Sequence, residues 1–242
     1  MATANVCVII GAGTGLGAGL ARQFAQANHA IVLVRRDAGV AQQMAEELQR
    51  QGAEVYVREA DVREPDQVQT LFDDIETTVG TIDVVIFNVG GNMRASILET
   101  SAEDFERMWR TNTFAGFLVG QAAARVMVTR QRGTILFSGA TASLRGGNGF
   151  AAFASAKNGL RALAQSMARE LGPQGVHVAH VVIDGGIDSP RIRSTQPERV
   201  ENAGEDGLLK TDSIALTYVQ LHQQPRDAWA FELDLRPWRE RW

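Results

Sequence analysis

A glycine-rich turn near the start of the chain restricts the possible fold more than any other feature of the sequence. The turn is Gly11-Ala12-Gly13-Thr14-Gly15-Leu16-Gly17, between an apolar run at 6–10 and an amphipathic stretch at 16–28. Glycines allow positive φ angles and let backbone N–H groups approach a pyrophosphate at the N-terminus of the following helix. This order of strand, turn and helix predicts a dinucleotide site. The alternative is a tight turn that packs the helix against the strand without a ligand.

Apolar runs and amphipathic stretches alternate along the rest of the chain. Polar residues do not alternate with apolar ones in these runs, which is typical of strands in a parallel sheet that is covered on both faces. We therefore predict an α/β fold, a single doubly wound Rossmann-type domain over 1–242 with a mostly parallel sheet and helices on both faces. Predicted strands are 6–10, 31–34, 54–57, 82–87, 134–137, 176–183 and 230–235. Predicted helices are 16–28, 40–51, 65–79, 101–131 with a bend near Asn112, 151–171 and 214–222.

The stretch 184–212 is polar, contains glycine and proline, and shows no helical or strand period. It follows the carboxyl end of a predicted strand, where open α/β sheets bind their ligands. We predict that it forms an irregular substrate lid and, together with 92–98, a mostly apolar substrate pocket. A disordered loop is the alternative.

Composition excludes several classes of protein. Cys7 is the only cysteine, so neither a disulfide framework nor a cysteine-based metal site is possible within the chain, and no metal site is predicted. The formal net charge of −4 argues against a nucleic-acid partner. Residues 1–5 lack the basic start of a signal peptide, and no apolar run is long enough to predict a membrane span. We predict a cytoplasmic protein.

Two arginines follow the second predicted strand, where an NAD-binding fold usually carries an acidic residue for the ribose 2′-hydroxyl. Arg35 and Arg36 occupy this place, and Asp37 lies beyond them. Guanidinium groups bind phosphate well and accept no hydrogen bond from a hydroxyl, so they favour NADP(H) over NAD(H). A solvated pair of charges at a strand end is the alternative.

Further short motifs are spread along almost the whole chain. Read from Gly11, the turn fits G-x-x-x-G-x-G, because Leu16 stands where G-x-G-x-x-G needs a glycine. Other motifs are Ala60-Asp61-Val62, Asn88-Val89-Gly90, Asn112, Lys157 and the segment from Gly185 through Ile187 to Ser189. With these motifs the chain resembles the short-chain dehydrogenase/reductase family.

The resemblance implies a role for each matching residue. In the family, residues at these positions form the turn that binds the nucleotide, contact the adenine, order a water in the proton relay, or bind the nicotinamide end of the cofactor. The implied cofactor residues are Gly11, Gly13, Thr14, Gly15, Leu16, Gly17, Arg35, Arg36, Asp61, Val62, Asn88, Gly90, Lys157, Gly185, Ile187 and Ser189. Asn112 is the implied relay residue, and Asp184 replaces the family's usual proline.

The catalytic positions depart from the family pattern. Phe153 stands four residues before Lys157, where the resemblance implies a tyrosine, and Ala140 stands where it implies a serine. A phenylalanine has no proton to give, and the loss of a positioned acid costs on the order of 10²–10⁴ in rate. Ser138, Thr141 and Ser143 surround Ala140.

The remaining catalytic candidates are Asn112, Lys157, Ser138 and Ser143. For the two serines, as for Thr141, the simpler interpretation is a polar residue that closes a strand end, and for Lys157 it is an exposed helix lysine. Tyr56 and Tyr218, the only tyrosines, and His180 are interpreted as packing residues rather than replacement acids.

Two functions compete at this point. The first is an NADP(H)-dependent carbonyl reductase or alcohol dehydrogenase with a non-standard proton relay and a small-molecule carbonyl or alcohol as substrate. The second is a catalytically inactive NADP(H)-binding sensor or partner subunit. The resemblance also implies a homodimer or homotetramer, paired through long helices that carry Phe114, Phe117, Leu160 and Leu163.

Overall fold

Seven parallel strands form the central sheet in the computed structural model, which describes residues 5–240. They are β1 Asn5–Ile10, β2 Ala30–Arg35, β3 Val55–Glu59, β4 Thr81–Phe87, β5 Thr134–Ser138, β6 His177–Ile183 and β9 Glu232–Leu235. The strand order is β3-β2-β1-β4-β5-β6-β9. The chain therefore reverses its direction of growth between β1 and β4, and the carboxyl ends of these two strands mark the crevice where such sheets bind ligands.

Helices cover both faces of the sheet, as predicted. Three pack on one face: α1 Leu16–Gln26, α2 Gly39–Arg50 and α9 Thr211–His222. Those associated with the other face are α3 Pro65–Thr78, α4 Ala102–Trp109, α5 Ala115–Val128 and α6 Ala151–Leu171. None of the helices among residues 5–240 has the length and apolar character needed to cross a membrane.

The strand sequences explain why the sheet has two cores. Successive side chains of a strand point to opposite faces, so an unbroken apolar run feeds both of them. In β1, Val6 and Val8 join the core under α3, α5 and α6, whereas Cys7 and Ile9 join the core under α1, α2 and α9. The prediction of a doubly wound α/β fold is confirmed.

The long helical stretch after β4 is interrupted where the sequence predicts a bend. The Oγ of Ser101 accepts a hydrogen bond of 3.0 Å from the backbone N–H of Asp104 and so caps α4. Arg110–Phe114 then forms a π-helical turn that separates α4 from α5. A π turn inserts an extra residue into the helix and changes the direction of its side chains. Asn112 lies inside this turn.

The prediction of an irregular 184–212 is wrong, because this segment has secondary structure. It contains β7 Ile187–Asp188, α7 Pro190–Thr195, α8 Pro197–Ala203 and β8 Leu209–Lys210, and β7 pairs with β8 in a separate two-stranded sheet. Both helices begin at a proline, which is favourable at a first helical position. Helices of six and seven residues are too short to show a period in the sequence, so the pattern could not reveal them.

Candidate active site

The glycine-rich turn joins the ends of β1 and β4 closely. Gly11 has a φ of +88°, and a Cβ at this position would lie 2.7 Å from the carbonyl oxygen of Asn88. The Nδ2 of Asn88 donates a hydrogen bond of 3.2 Å to the Gly11 carbonyl oxygen. A Cβ at Gly17 would lie 2.8 Å from the Cα of Ala12. Both positions therefore require glycine, because backbone already fills the space of a side chain.

A cavity of about 810 Å³, here called the turn cavity, opens above this turn at the carboxyl ends of the strands. Most of the predicted cofactor residues line it, although they come from five separate parts of the chain. They are Gly11, Gly13, Thr14, Gly15, Arg35, Arg36, Asp61, Val62, Asn88, Gly90 and Ser189. Arg63, Thr111 and Arg191 line it as well, and the sequence analysis missed them.

The other predicted cofactor residues lie elsewhere. The Leu16 side chain is buried in the core between α1 and the sheet, where its backbone begins the helix. Gly17 packs against the turn, and Lys157 lies beneath Gly90. Gly185 and Ile187 line a second cavity instead.

The end of β2 presents two arginines to the turn cavity. Arg35 lies over the turn, with its Nη1 donating to the Ala12 carbonyl oxygen at 3.3 Å and its Nε donating to the Asp37 carbonyl oxygen at 3.3 Å. The Oδ1 of Asp37 accepts a hydrogen bond of 2.9 Å from the Gly39 N–H at the start of α2. The carboxylate is therefore held toward the helix, and the guanidinium groups of Arg35 and Arg36 line the same wall.

A carboxylate–guanidinium pair forms another part of the wall. Arg63 donates from both Nε and Nη2 to the carboxylate of Asp61. These hydrogen bonds lower the pKa of Asp61 below its usual value. The pair carries no net charge, so the positive charge of the cavity comes from Arg35, Arg36 and Arg191, with Asp37 as the one other acid among the described residues that line it.

Lys157 and Asn112 meet beside Gly90. Lys157 is only 4% exposed, and its Nζ donates to the carbonyl oxygens of Ser138 at 3.0 Å and Val89 at 3.4 Å. Burial lowers the pKa of Lys157 from 10.5 to about 8. The Oδ1 of Asn112 is buried and has no hydrogen-bond partner among residues 5–240, while its Nδ2 donates to the Met108 carbonyl oxygen. A free acceptor thus lies close to an ammonium group.

The second cavity, of about 600 Å³, adjoins the turn cavity. Ser189 and Arg191 line both. Ala140 and Phe153, at the positions where the family resemblance implies a serine and a tyrosine, face the second cavity. Of the predicted pocket segment 92–98 only Asn92 lines it, and Ile97 and Leu98 are exposed instead. Its apolar wall comes from residues around α6, β6 and α7: Phe150, Phe153, Ile183, Ile187 and Ile192.

The hydroxyl groups near Ala140 already have hydrogen-bond partners within the protein. The Oγ of Ser138 forms a hydrogen bond of 2.8 Å with the Tyr218 hydroxyl on α9, and the Oγ of Ser143 accepts from the Ala140 N–H at 3.1 Å. Neither serine lines either cavity. Thr141 does line the second cavity, but its hydroxyl donates to the carboxylate of Asp184. These side chains therefore hold the loop after β5 in place.

The tyrosines and His180 line neither cavity. Tyr218 is fully buried, and burial raises the pKa of its hydroxyl. Tyr56 donates to a carboxylate oxygen of Glu54 at 2.7 Å. The Nδ1 of His180 lies 2.9 Å from Glu232, and burial lowers the pKa of this histidine from 6.5 to about 4. No replacement acid among them lines either cavity.

A cluster of ionisable groups lies at the opposite, amino-terminal edge of the sheet. The Oδ2 of Asp83 is 3.7 Å from the Nε2 of His29 and 3.5 Å from the Nε2 of His222. These are groups that can bind a metal ion. Arg132 donates to both carboxylate oxygens of Asp83, at 3.0 and 3.2 Å. The buried carboxylate therefore already has a cationic partner.

Comparison with known proteins agrees with this geometry. The family model described as short chain dehydrogenase matches residues 5–199. The chain belongs to the short-chain dehydrogenase family. Members of this family are oxidoreductases that bind a nicotinamide cofactor.

Three similar proteins illustrate the relationship. A short-chain dehydrogenase from Rhodopseudomonas palustris has 39% sequence identity and a TM-score of 0.83, covering 97% of this chain and 99% of that one. The (21S)-21-acetoxyl-apo-melianone synthase of Melia azedarach is 33% identical over 221 residues, which are 87% of this chain and 80% of that protein. A metagenomic short-chain oxidoreductase, solved in complex with NADP, has 23% identity and a TM-score of 0.83 over 97% of each chain. This last likeness concerns the fold alone.

Proposed function

We propose that this short-chain dehydrogenase is an NADP(H)-dependent oxidoreductase of the carbonyl reductase or alcohol dehydrogenase type, with a proton relay that lacks the usual tyrosine. The observation that carries the proposal is the junction of the two cavities at Ser189 and Arg191. A dinucleotide in the turn cavity has its substrate space next to it, beside Ala140 and Phe153. When bound, the cofactor supplies the hydride chemistry.

The residues of the turn cavity suit a dinucleotide phosphate. Gly13, Thr14 and Gly15 line this cavity just before α1, and backbone N–H groups at the start of a helix suit a pyrophosphate. Arg35 and Arg36 suit the additional 2′-phosphate of NADP(H), and Asp37 is turned toward α2.

The proton relay is assigned to Lys157 and Asn112. The Asn112 Oδ1 has a free acceptor position within the buried region beside Gly90, and Lys157 Nζ is the neighbouring donor. A pKa of about 8 lets Lys157 release a proton near neutral pH. Water ordered by these two groups would pass that proton to the substrate oxygen, while Phe153 only shapes the cavity.

One observation favours a second candidate function. Phe153 and Ala140 both present carbon atoms to the second cavity, and the nearby serine hydroxyls are bonded elsewhere. A protein that kept the cofactor site and lost the chemistry would have this arrangement. It would act as an NADP(H)-binding sensor or partner subunit.

The assembly and the lid belong to the same proposal. Trp109, Phe114 and Phe117 form a stacked row, with ring centroids 5.6 and 6.5 Å apart, and Trp109 and Phe117 are about two-fifths exposed. An exposed aromatic row suits pairing of two copies through α4 and α5. The segment 184–212 would cover the substrate as a lid, and 1–242 would act as one domain.

Steady-state assays test the choice between the two functions. NADPH oxidation would be measured across a panel of ketones and aldehydes, after NADPH binding has been established by tryptophan quenching. We expect slow but measurable turnover. Bound NADPH without oxidation by any carbonyl compound would contradict the reductase and support the sensor.

A further inference from the structure

The second cavity has an unusual distribution of charge. Three arginines line it: Arg145 from the loop after β5, Arg191 from α7 and Arg199 from α8. The described residues that line this cavity include no aspartate or glutamate. The cavity therefore concentrates positive charge although the whole chain carries a formal charge of −4.

None of these arginines forms an ion pair within residues 5–240. Within residues 5–240, none of the three has a carboxylate within 4.0 Å of its guanidinium, and the one side-chain partner is Gln196 Oε1, 3.2 Å from the Nη1 of Arg199. Arg193 on the same short helix α7 behaves differently, because it forms an ion pair with Asp188 at 2.6 Å. Unpaired guanidiniums that converge on a cavity indicate an anionic ligand.

The three arginines are not equivalent. Arg191 also lines the turn cavity, where cofactor phosphate groups would compete for it. Arg199 also borders a neighbouring hollow that contains Glu198 and Glu240. Arg145 lines the second cavity but not the turn cavity, and it lies in an exposed loop that continues through Gly146 and Gly147. Arg145 and Arg199 are therefore the residues best placed for a substrate group, with Arg191 at the junction.

The other residues of the second cavity indicate the chemical character of the rest of the ligand. Phe150, Phe153 and Ile187 contribute apolar surface to the same cavity that the arginines and Ala140 line. Such a wall binds a hydrocarbon or aromatic body and gives it no hydrogen bond. Binding energy from a remote charged group can also be used at the reacting centre, which is valuable in a site without its usual acid.

We propose that the second cavity binds an organic anion, a carbonyl or alcohol compound with an apolar body and a terminal carboxylate or phosphate group held by Arg145 and Arg199. The identity of the reacting group rests on the proposed function, whereas anion binding does not. A carboxylate and a phosphate share the chemistry that the guanidiniums recognise, and the experiment distinguishes them.

Binding to the NADPH-saturated protein tests the proposal without turnover. Saturation with NADPH fills the phosphate positions of the turn cavity. Calorimetry would compare three probes that carry no reducible ketone or aldehyde: 4-phenylbutanoate, 3-phenylpropyl phosphate and the neutral 4-phenylbutanamide. We expect one or both anions to bind at least about tenfold more tightly than the amide. The tighter of the two anions identifies the terminal group.

Variants separate a specific subsite from general attraction. Arg145→Gln and Arg199→Gln should each weaken anion binding about tenfold and leave the amide unchanged. Arg169→Gln removes the same charge from the far end of α6, about 24 Å along the helix from Phe153, and should change neither. Equal affinity of the three probes, or equal weakening by all three variants, would overturn the proposal. Anion binding in a protein that oxidises no NADPH would refute only the proposed reductase function.

Discussion

The turn cavity and the second cavity share two lining residues, yet they depend on different parts of the chain. The turn cavity is defined by backbone, because Gly11 and Gly17 have no space for a side chain and tie strand ends together. The second cavity is defined by side chains, and at the family's catalytic positions these are Phe153 and Ala140. A cofactor site built from backbone is difficult to lose without disturbing the fold, whereas a proton donor is lost with one side chain. Binding and proton transfer can therefore diverge separately.

The largest effect should come from restoring the missing side chains in the second cavity. For a protein that has lost its chemistry, Phe153→Tyr combined with Ala140→Ser should raise kcat/KM for carbonyl reduction with NADPH by about 10²–10⁴. Lys157, one helical turn along α6, would lower the pKa of the new phenol by its charge. The same ketone panel would be assayed for both forms.

The matched control adds a hydroxyl to a phenylalanine outside both cavities. Phe105 on α4 is about two-fifths exposed and lines neither cavity, so Phe105→Tyr should leave the rate unchanged. If the double variant binds NADPH and shows no gain over an active unmodified protein, the relay of this enzyme does not run through position 153.

The next largest effect should come from adding a Cβ to the turn. Gly11→Ala places a methyl group 2.7 Å from the Asn88 carbonyl oxygen at a φ of +88°. The ends of β1 and β4 must then separate, and we expect the NADPH Kd to rise by about 100-fold or more, together with a lower Tm. Gly52→Ala is the control, since Gly52 has the same φ of +88° and no atom within 4 Å. Equal NADPH binding by both variants would show that close approach is unimportant.

Removing the phosphate-binding charges should have a smaller and more selective effect. We expect Arg35→Ala with Arg36→Ala to reduce the preference for NADPH over NADH by about 10–100-fold, because only NADPH carries the 2′-phosphate. Dissociation constants would be measured for both nucleotides. Arg50→Ala, an exposed charge at the end of α2, should leave the ratio unchanged. An unmodified protein that binds the two nucleotides equally well would contradict this assignment.

The sequence revealed the turn cavity better than the second cavity for the same physical reason. Glycines and an arginine pair at strand ends leave a local pattern, so Gly11 and Arg35 could be placed from spacing alone. The direction of the Ser138 hydroxyl could not be predicted from the sequence. It depends on the pleat of β5 and on a contact with Tyr218 of α9, which is 80 residues away in the chain. Arg145 and Arg199 look like ordinary surface charges until the fold brings α8 to the loop after β5.

The segment 184–212 shows where pattern reading fails in the fold itself. Apolar periodicity identifies the long helices and the sheet, and their order was enough for the doubly wound topology. In α7, only Ile192 is buried, so a six-residue helix leaves no stripe to recognise. Its N-cap at Ser189, whose Oγ accepts from the Ile192 N–H at 3.4 Å, was the available signal.

A further predicted difference concerns the two lysines of the chain. Lys157 is buried with a pKa of about 8, whereas Lys210 is exposed and its pKa is raised by Asp206. Below about pH 8 Lys157 carries its charge in both the folded and the unfolded chain, and burial of that charge opposes folding. Between about pH 8 and 10.5 only the unfolded chain holds the proton, so this residue should make the free energy of unfolding rise by up to about 3 kcal/mol across that range.

Denaturant unfolding across this pH range should show that Lys157→Met removes the rise and Lys210→Met keeps it. If the two variants show the same slope, the rise does not come from Lys157. Another group would then have to supply the proton in the proposed relay.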